Sequence, residues 1–297
     1  MTTPRLPGRP RPSLFDVVNT LLMLLVLVVT LYPFLHVLAL ALNDSQDTVR
    51  GGLTVYPREP TLKNFAAIFA YGNVPHAFFV SVLRTVIGTA LTVFACAMVA
   101  FVLARRDFQA RHVLSRFLAI TLYVSGGLIP GFLLIRDLHL INSFWVYVLP
   151  AIVNVFYIFM IRSYMDSLPY ELQESAKIDG AGDFTIFWRV ILPLCTPVLA
   201  TVALFAAVGQ WNSWFDTYLY NGSNPALSTL QFELMKILQS TQSGRDAAYG
   251  NTLNQQQVTP DSIKMAITIV TVAPILLVYP FLQRYFVRGM TLGAVKG

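Results

Sequence analysis

AFFVSVLRTVIGTALTVFACAMVAFVLA, residues 77–104, carries one charged side chain, Arg84, and runs directly into Arg105 and Arg106. Crossing a hydrocarbon core about 30 Å thick takes about 20 mainly apolar residues in a helix, and this stretch exceeds that length. The block therefore predicts a membrane span with a basic residue pair at its end.

Further blocks of this kind lie on both sides. The first runs from about Phe15 to Leu42, the third from about Phe117 to Leu134 and the fourth from about Phe144 to Ile161. The fifth covers about Thr196 to Trp214 and the sixth about Ile263 to Leu282. Gly126, Gly127, Pro130 and Gly131 predict a kink or break in the third block. Ala39-Leu40-Ala41 resembles a signal-cleavage site, but a signal's apolar core is only about 7–15 residues, so the first block reads as a retained span. The expected fold is all-α, a polytopic membrane bundle of about six helices. Residues 1–13, rich in Pro and Arg, read as a tail, and 14–297 as one transmembrane domain. Residues 215–261 read as a long polar loop.

The composition agrees: 55% of residues are hydrophobic and 12% charged, against about a quarter charged in soluble domains. The net charge of +6 reads as Arg and Lys on the inner side of a membrane rather than as a nucleic-acid surface. The short segment 105–116 holds Arg105, Arg106, Arg111 and Arg116, and short loops obey the positive-inside rule best. Both termini and residues 162–194 are thus expected in the cytoplasm. Cys96 and Cys195 lie far apart, and no His, Cys and carboxylate cluster has metal-ligand spacing. No metal or cofactor is expected.

The inner stretch DSLPYELQESAKIDGAGDFTIFWRVILP, residues 166–193, has its own local logic. Asp166 or Ser167 can cap a helix, and Pro169 suits its first turn. Glu171 and Glu174 favour the positive end of its dipole. Gly180 and Gly182 can stop it in a left-handed conformation, and Asp183 can cap a second short helix bearing Phe184, Phe187, Trp188 and Ile191, which Pro193 is expected to end before the next span. Two short helices around a glycine turn suit a rigid element that docks in a groove on a soluble partner. The rival is an amphipathic helix lying on the bilayer, which the acidic first helix disfavours at an anionic surface.

Glu174-Ser175-Ala176, then Gly180, then Val190-Ile191-Leu192-Pro193 resembles the Glu-Ala-Ala loop of permeases from ATP-binding-cassette importers, with the full family spacing. Ser175 and Val190 replace the usual Ala and Ile. PTLKNF at 60–65, Trp211-Asn212, YPFLQRYFVRG at 279–289 and GAVKG at 293–297 extend the resemblance over nearly the whole chain. They point to the carbohydrate, maltose-type branch near the permeases for complex, partly uronate-containing oligosaccharides. The resemblance implies a type I importer fold in a bacterial cytoplasmic membrane and a homologous second permease. It also implies two ATPase subunits, an extracytoplasmic sugar-binding protein and a sugar or oligosaccharide moved by alternating access. Glu171, Glu174, Ser175, Ala176, Asp179, Gly180 and Pro193 are then the residues coupling to the ATPase.

The chain carries no phosphate-binding Gly-x-x-x-x-Gly-Lys-Ser/Thr loop, no Gly-x-Ser-x-Gly elbow and no His-Glu-x-x-His motif, so it is not expected to be an enzyme. Its spans hold essentially no carboxylate, against an ion-gradient-driven carrier. Sugar sites combine aromatic faces with amides and hydroxyls, and polar groups in spans tend to face a cavity. The candidates are Arg84, Tyr123, Gly127, Asn154, Gln210, Trp211 and Asn212, with Ser125, Tyr157 and Trp214 beside them. Arg84 offers a cation for an acidic sugar such as a uronate, with snorkelling outward or pairing within the subunit interface as the rival readings.

Overall fold

The structure is a computed structural model and describes residues 13–70, 73–242 and 258–294. The tail expected at 1–13 lies outside them except for Ser13. The described residues form helices α1 (Leu14–Leu42), α2 (Ser45–Val49), α3 (Lys63–Ala70), α4 (Val74–Ala104), α5 (Arg111–Thr121) and α6 (Leu128–Asp137). After 3-10 turns at Phe144–Tyr147 and Leu149–Ala151 come α7 (Val155–Asp166), α8 (Glu171–Ile178) and α9 (Asp183–Thr185). A π turn at Ile186–Ile191 leads to α10 (Leu192–Leu194), α11 (Thr196–Asn212) and α12 (Phe215–Asn221). A 3-10 turn at Pro225–Leu227, α13 (Leu230–Gln242) and α14 (Pro260–Ala294) complete the order. The chain divides into two compact units, residues 1–70 with 246–269 and residues 71–245 with 270–297.

The first unit is built on α1, which opens with a reciprocal cap: Ser13 Oγ accepts from the Asp16 N–H, and the Asp16 carboxylate accepts from the Ser13 N–H at 2.8 Å. The helix extends about 43 Å at 1.5 Å per residue, enough to cross a bilayer. Its end is tied by a buried amide. The Asn64 Nδ2 donates to the carbonyls of Ala41 and Asn43, and its Oδ1 accepts from Ser45 Oγ. Asp47 holds Arg58 at 2.9 Å.

The second unit is organised around α4, which packs against α7 and α11. Its core holds Cys96, Ala97, Ala100, Ile158, Ile161, Ile186, Ile191, Cys195 and Val202. Between lipid-embedded helices no water is released on contact, so close van der Waals packing through small residues does the holding. Gly88, Ala97 and Ala100 supply those small positions on α4.

Among the described residues, three helices are long and apolar enough to span by themselves: α1, α4 and the 260–278 part of α14. The fourth and fifth expected spans are bent pairs. Residues 144–151 meet α7 at 47°, and residues 183–194 meet α11 at 81°. In the third, α5 and α6 are separated by non-helical residues 122–127, ending at Gly127 with φ +88°, which suits glycine. The break expected there is present.

Residues 215–242 are not the featureless loop the polarity suggested. They fold as α12, a 3-10 turn and α13, and three successive carbonyls of that turn are each captured by another element. Asn73 Nδ2 donates to Pro225 O at 2.6 Å, His76 Nε2 to Ala226 O at 2.8 Å and Tyr147 Oη to Leu227 O at 2.5 Å.

Candidate functional site

The stretch 166–193 forms the two-armed element its sequence implied, with different capping. Asp166 ends α7 instead of opening the next helix, and Tyr170 stands at the N-cap of α8 without a side-chain bond. Glu171 and Glu174 occupy the first turn of α8 and Lys177 the last, both favourable to the dipole. The helix stops in a Schellman motif: Ala181 N–H donates to Ala176 O at 2.9 Å and Gly180 N–H to Lys177 O at 3.0 Å, with Gly180 at φ +81°. Gly182 is not left-handed; it is the extended N-cap of α9. Pro193 does not end the second arm, which runs on to Leu194. Without an N–H, and with a ring that crowds the carbonyl four residues back, it follows the widened π turn, and the chain bends at Cys195.

α8 packs Ala176 against the core and buries Gln173, while Glu171, Glu174, Ser175, Ile178, Asp179 and Gly180 are exposed. Ile178 is 86% exposed. This face sits beyond the Arg105 end of α4 and is held there by charge. Arg105 grips Asp107 through two bonds of 2.8 and 2.5 Å and reaches Asp183 at 2.6 Å. Lys177 Nζ closes on Asp107 at 2.9 Å. Bonds from Arg105, then Lys177, hold the Asp107 carboxyl well below the usual carboxylate range; the Asp107 bond likewise raises Arg105 above its ordinary value. Asp183, expected as a cap, makes no cap bond and serves this network instead.

The second candidate site is a cavity of about 340 Å³ beside α4, lined by Arg84, Asn154, Tyr157, Gln210, Asp216 and Tyr220 among others. Sequence reading missed Asp216 by assigning it to a loop. Arg84 is 2% exposed and pairs with Asp216 at 2.5 Å. Its remaining N–H groups go to Gln210 Oε1, at 3.1 and 3.0 Å, to Ser213 O at 3.3 Å and to Asp216 Oδ1 at 3.2 Å. The guanidinium also lies 4.3 Å from the Tyr147 ring centre. All five of its N–H groups are occupied, so Arg84 is not the free cation considered for an acidic sugar. A buried Arg demands a partner; that requirement was the available signal for Asp216.

Three other candidates line the same space or border it. Gln210 donates to Tyr147 O at 3.0 Å. Asn154 lines the cavity while its Oδ1 caps α7 by accepting from the Phe156 and Tyr157 N–H groups. Tyr157 and Tyr220 supply half-buried rings to the wall. The structure does not bring the remaining candidates there. Tyr123 is 89% exposed beside the break before Gly127, and Asn212 is exposed at the end of α11. Trp211 is buried, donates to Thr271 O at 2.9 Å and faces a separate apolar pocket with Val86, Pro274 and Ile275.

Residues 12–292 match the family model described as binding-protein-dependent transport system inner membrane component. The chain is 36% identical to Protein LplC of Bacillus subtilis (strain 168) over 95% of each chain. It is 35% identical to the Polygalacturonan/rhamnogalacturonan transport system permease protein YtcP of the same organism, over 96% of this chain and 99% of that one. A solved chain from a bacterial ABC transporter involved in the import of the acidic polysaccharide alginate shares the fold, with TM-score 0.84 and 24% identity over 96% of this chain and 100% of that one. The fold, the spans and the family match together place this chain among the binding-protein-dependent transport system inner membrane components, the permeases of ATP-binding-cassette importers.

Proposed function

We propose that the chain is the membrane-spanning permease subunit of an ATP-driven importer for a sugar or oligosaccharide. It works with a homologous second permease, two ATPase subunits on the cytoplasmic face and an extracytoplasmic binding protein. The observation that carries this is α8: a short, well-stopped helix whose outward face is exposed among the described residues and whose inward face is anchored to the bundle. Docking of α8 in a groove on one of the ATPase subunits lets nucleotide-driven closure pull on the bundle, with the N- and C-termini and the Arg105 end of α4 on the cytoplasmic side. Alternating access follows when that pull exposes the cavity beside α4 to one face and then the other.

The substrate reading is supported by the names of the relatives and by the cavity wall. Tyr157 and Tyr220 offer ring faces and Asn154 and Gln210 offer amides, the chemistry that suits a sugar. Arg84 and Asp216 neutralise one another, so this wall adds no net charge to the path.

The test is capture. A photo-crosslinking residue replacing Ile178 in the assembled membrane complex is expected to trap an ATPase subunit. Crosslinks only to lipid would overturn the docking reading.

A further inference from the structure

A pull on α8 must enter the bundle somewhere. The loop is continuous in sequence with α7 and, through the second arm, with α11, so those two receive it through the chain itself. α4 is joined to neither, yet three consecutive residues at its end hold the loop at three places. Arg106 lies over the Tyr170 ring at 4.5 Å, ahead of α8. Asp107 holds Lys177 in the last turn of α8. Arg105 holds Asp183 at the start of the second arm and is tied bidentately to Asp107.

The left-handed turn at Gly180 lies between Lys177 and Asp183, so the two ionic grips bracket it. The turn cannot open, nor either arm swing, without breaking one of them. Arg105 is only 7% exposed, and its planar fork can serve two carboxylates at once, which an ammonium does less well. The second arm also rests on α4 through apolar contacts, Phe187 on Phe101 at 5.3 Å and Trp188 on Phe94 at 6.0 Å between ring centres. Two cations and two anions make the cluster electrically balanced, so closure of the network leaves no buried net charge.

We propose that Arg105, acting through Asp107, Lys177 and Asp183, is a positioning clamp that makes α4 move with the coupling loop. α4 then acts as the rod that carries the motor's displacement to the cavity. It is helical without interruption from Val74 to Ala104, and it places Arg84 roughly 30 Å from Arg105 at 1.5 Å per residue. At that far end Arg84 is fastened to Gln210, Ser213 and Asp216. A shift imposed at the clamp is therefore delivered to the cavity wall. The proposal rests on the reading of α8 as the ATPase-docking element.

The test uses the complete importer in lipid nanodiscs, with spin labels on F79C in α4 and V29C in α1, a helix outside the loop and its clamp; both positions are exposed. The native Cys96 and Cys195 are fully buried and stay unlabelled. Mg-ATP trapped with orthovanadate is the ligand, and the interlabel distance distribution is the readout. The otherwise wild-type complex is expected to shift on trapping. Arg105→Gln should reduce the shifted population about tenfold, and Arg105→Lys should restore part of it. Adding Asp183→Asn to Arg105→Gln should cost nothing more, because both remove the same grip. An undiminished shift in Arg105→Gln, losses that multiply in the double variant, or no shift in the wild-type complex each overturns the clamp. Should Arg105→Gln fail to assemble, Lys177→Gln and Asp183→Asn, whose side chains are more exposed, carry the same expectation. Failure of the docking reading looks different: the unaltered chain would then retain no ATPase.

Discussion

Gly88 on α4 lies directly against the side chain of Gln210 on α11: a Cβ at Gly88 would stand 2.7 Å from Gln210 Nε2 and 2.8 Å from Cδ. Only glycine lets the Gln210 amide approach closely enough to bond Arg84 and the Tyr147 carbonyl together. Gly88→Ala should displace the amide and cost about 1–3 kcal/mol through overpacking, seen as a lower melting temperature in detergent. Gly131→Ala, with nothing within 4 Å of its Cβ, is the control without that clash. Equal melting of wild type and Gly88→Ala would show that Gln210 is not fixed there.

Removal of the Asp216 carboxylate leaves the Arg84 guanidinium buried without its counter-ion. Breaking such a pair from one side costs about 3–5 kcal/mol, whereas replacing both partners is often close to neutral. Asp216→Ala should therefore lower folded yield and melting temperature much more than the double change Arg84→Met with Asp216→Ala. If the double variant melts no higher than the single one, the pair is not what stabilises the end of α11.

Asp107 makes an acid-sensitive contribution. Its folded-state pKa is depressed, first by its bonds to Arg105 and then to Lys177. The stabilisation is therefore fully present above the unfolded carboxylate value of about 3.9 and is lost as pH falls further, through the folded value. Wild type should melt above Asp107→Asn at pH 7, and the gap should narrow below about pH 4. Since the Asp107 side chain is half exposed, high salt should narrow it as well. A gap indifferent to both acid and salt would remove charge as its cause.

Glu174→Lys reverses a charge on the exposed face of α8 without touching a buried group. The protein should still insert and melt normally, because exposed substitutions of this kind change stability by only about 0.5 kcal/mol. ATPase retention on co-purification should fall. Full retention together with full transport per ATP hydrolysed would count against docking through this face.

The spans and the two-armed shape of residues 166–193 were legible because each depends on short-range pattern. A run such as Ala77–Ala104 declares its environment by composition, and Gly180 announced its left-handed turn within a few residues of the helix it stops. The Arg84–Asp216 pair was not legible. Its members are far apart in sequence, and Asp216 sits just past an apolar run, where polarity alone suggests a loop. Asp183 had the right type for a cap, but Arg105 competes for its carboxylate with a stronger charged bond. Asn154 shows the opposite case: a polar residue in an apolar run drew attention as a sugar contact, while part of its work is to start α7 after the bend.

The 3-10 turn at Pro225–Leu227 is gripped by its backbone, since Asn73, His76 and Tyr147 each donate to a carbonyl that every amino acid possesses. Evolutionary drift there should be one-sided. The turn is free to exchange its side chains while keeping its place, whereas the three donors are confined to residues with an N–H or O–H of the right reach. A saturation library across both sides of these links would display that asymmetry as a tolerant acceptor strip facing three intolerant positions.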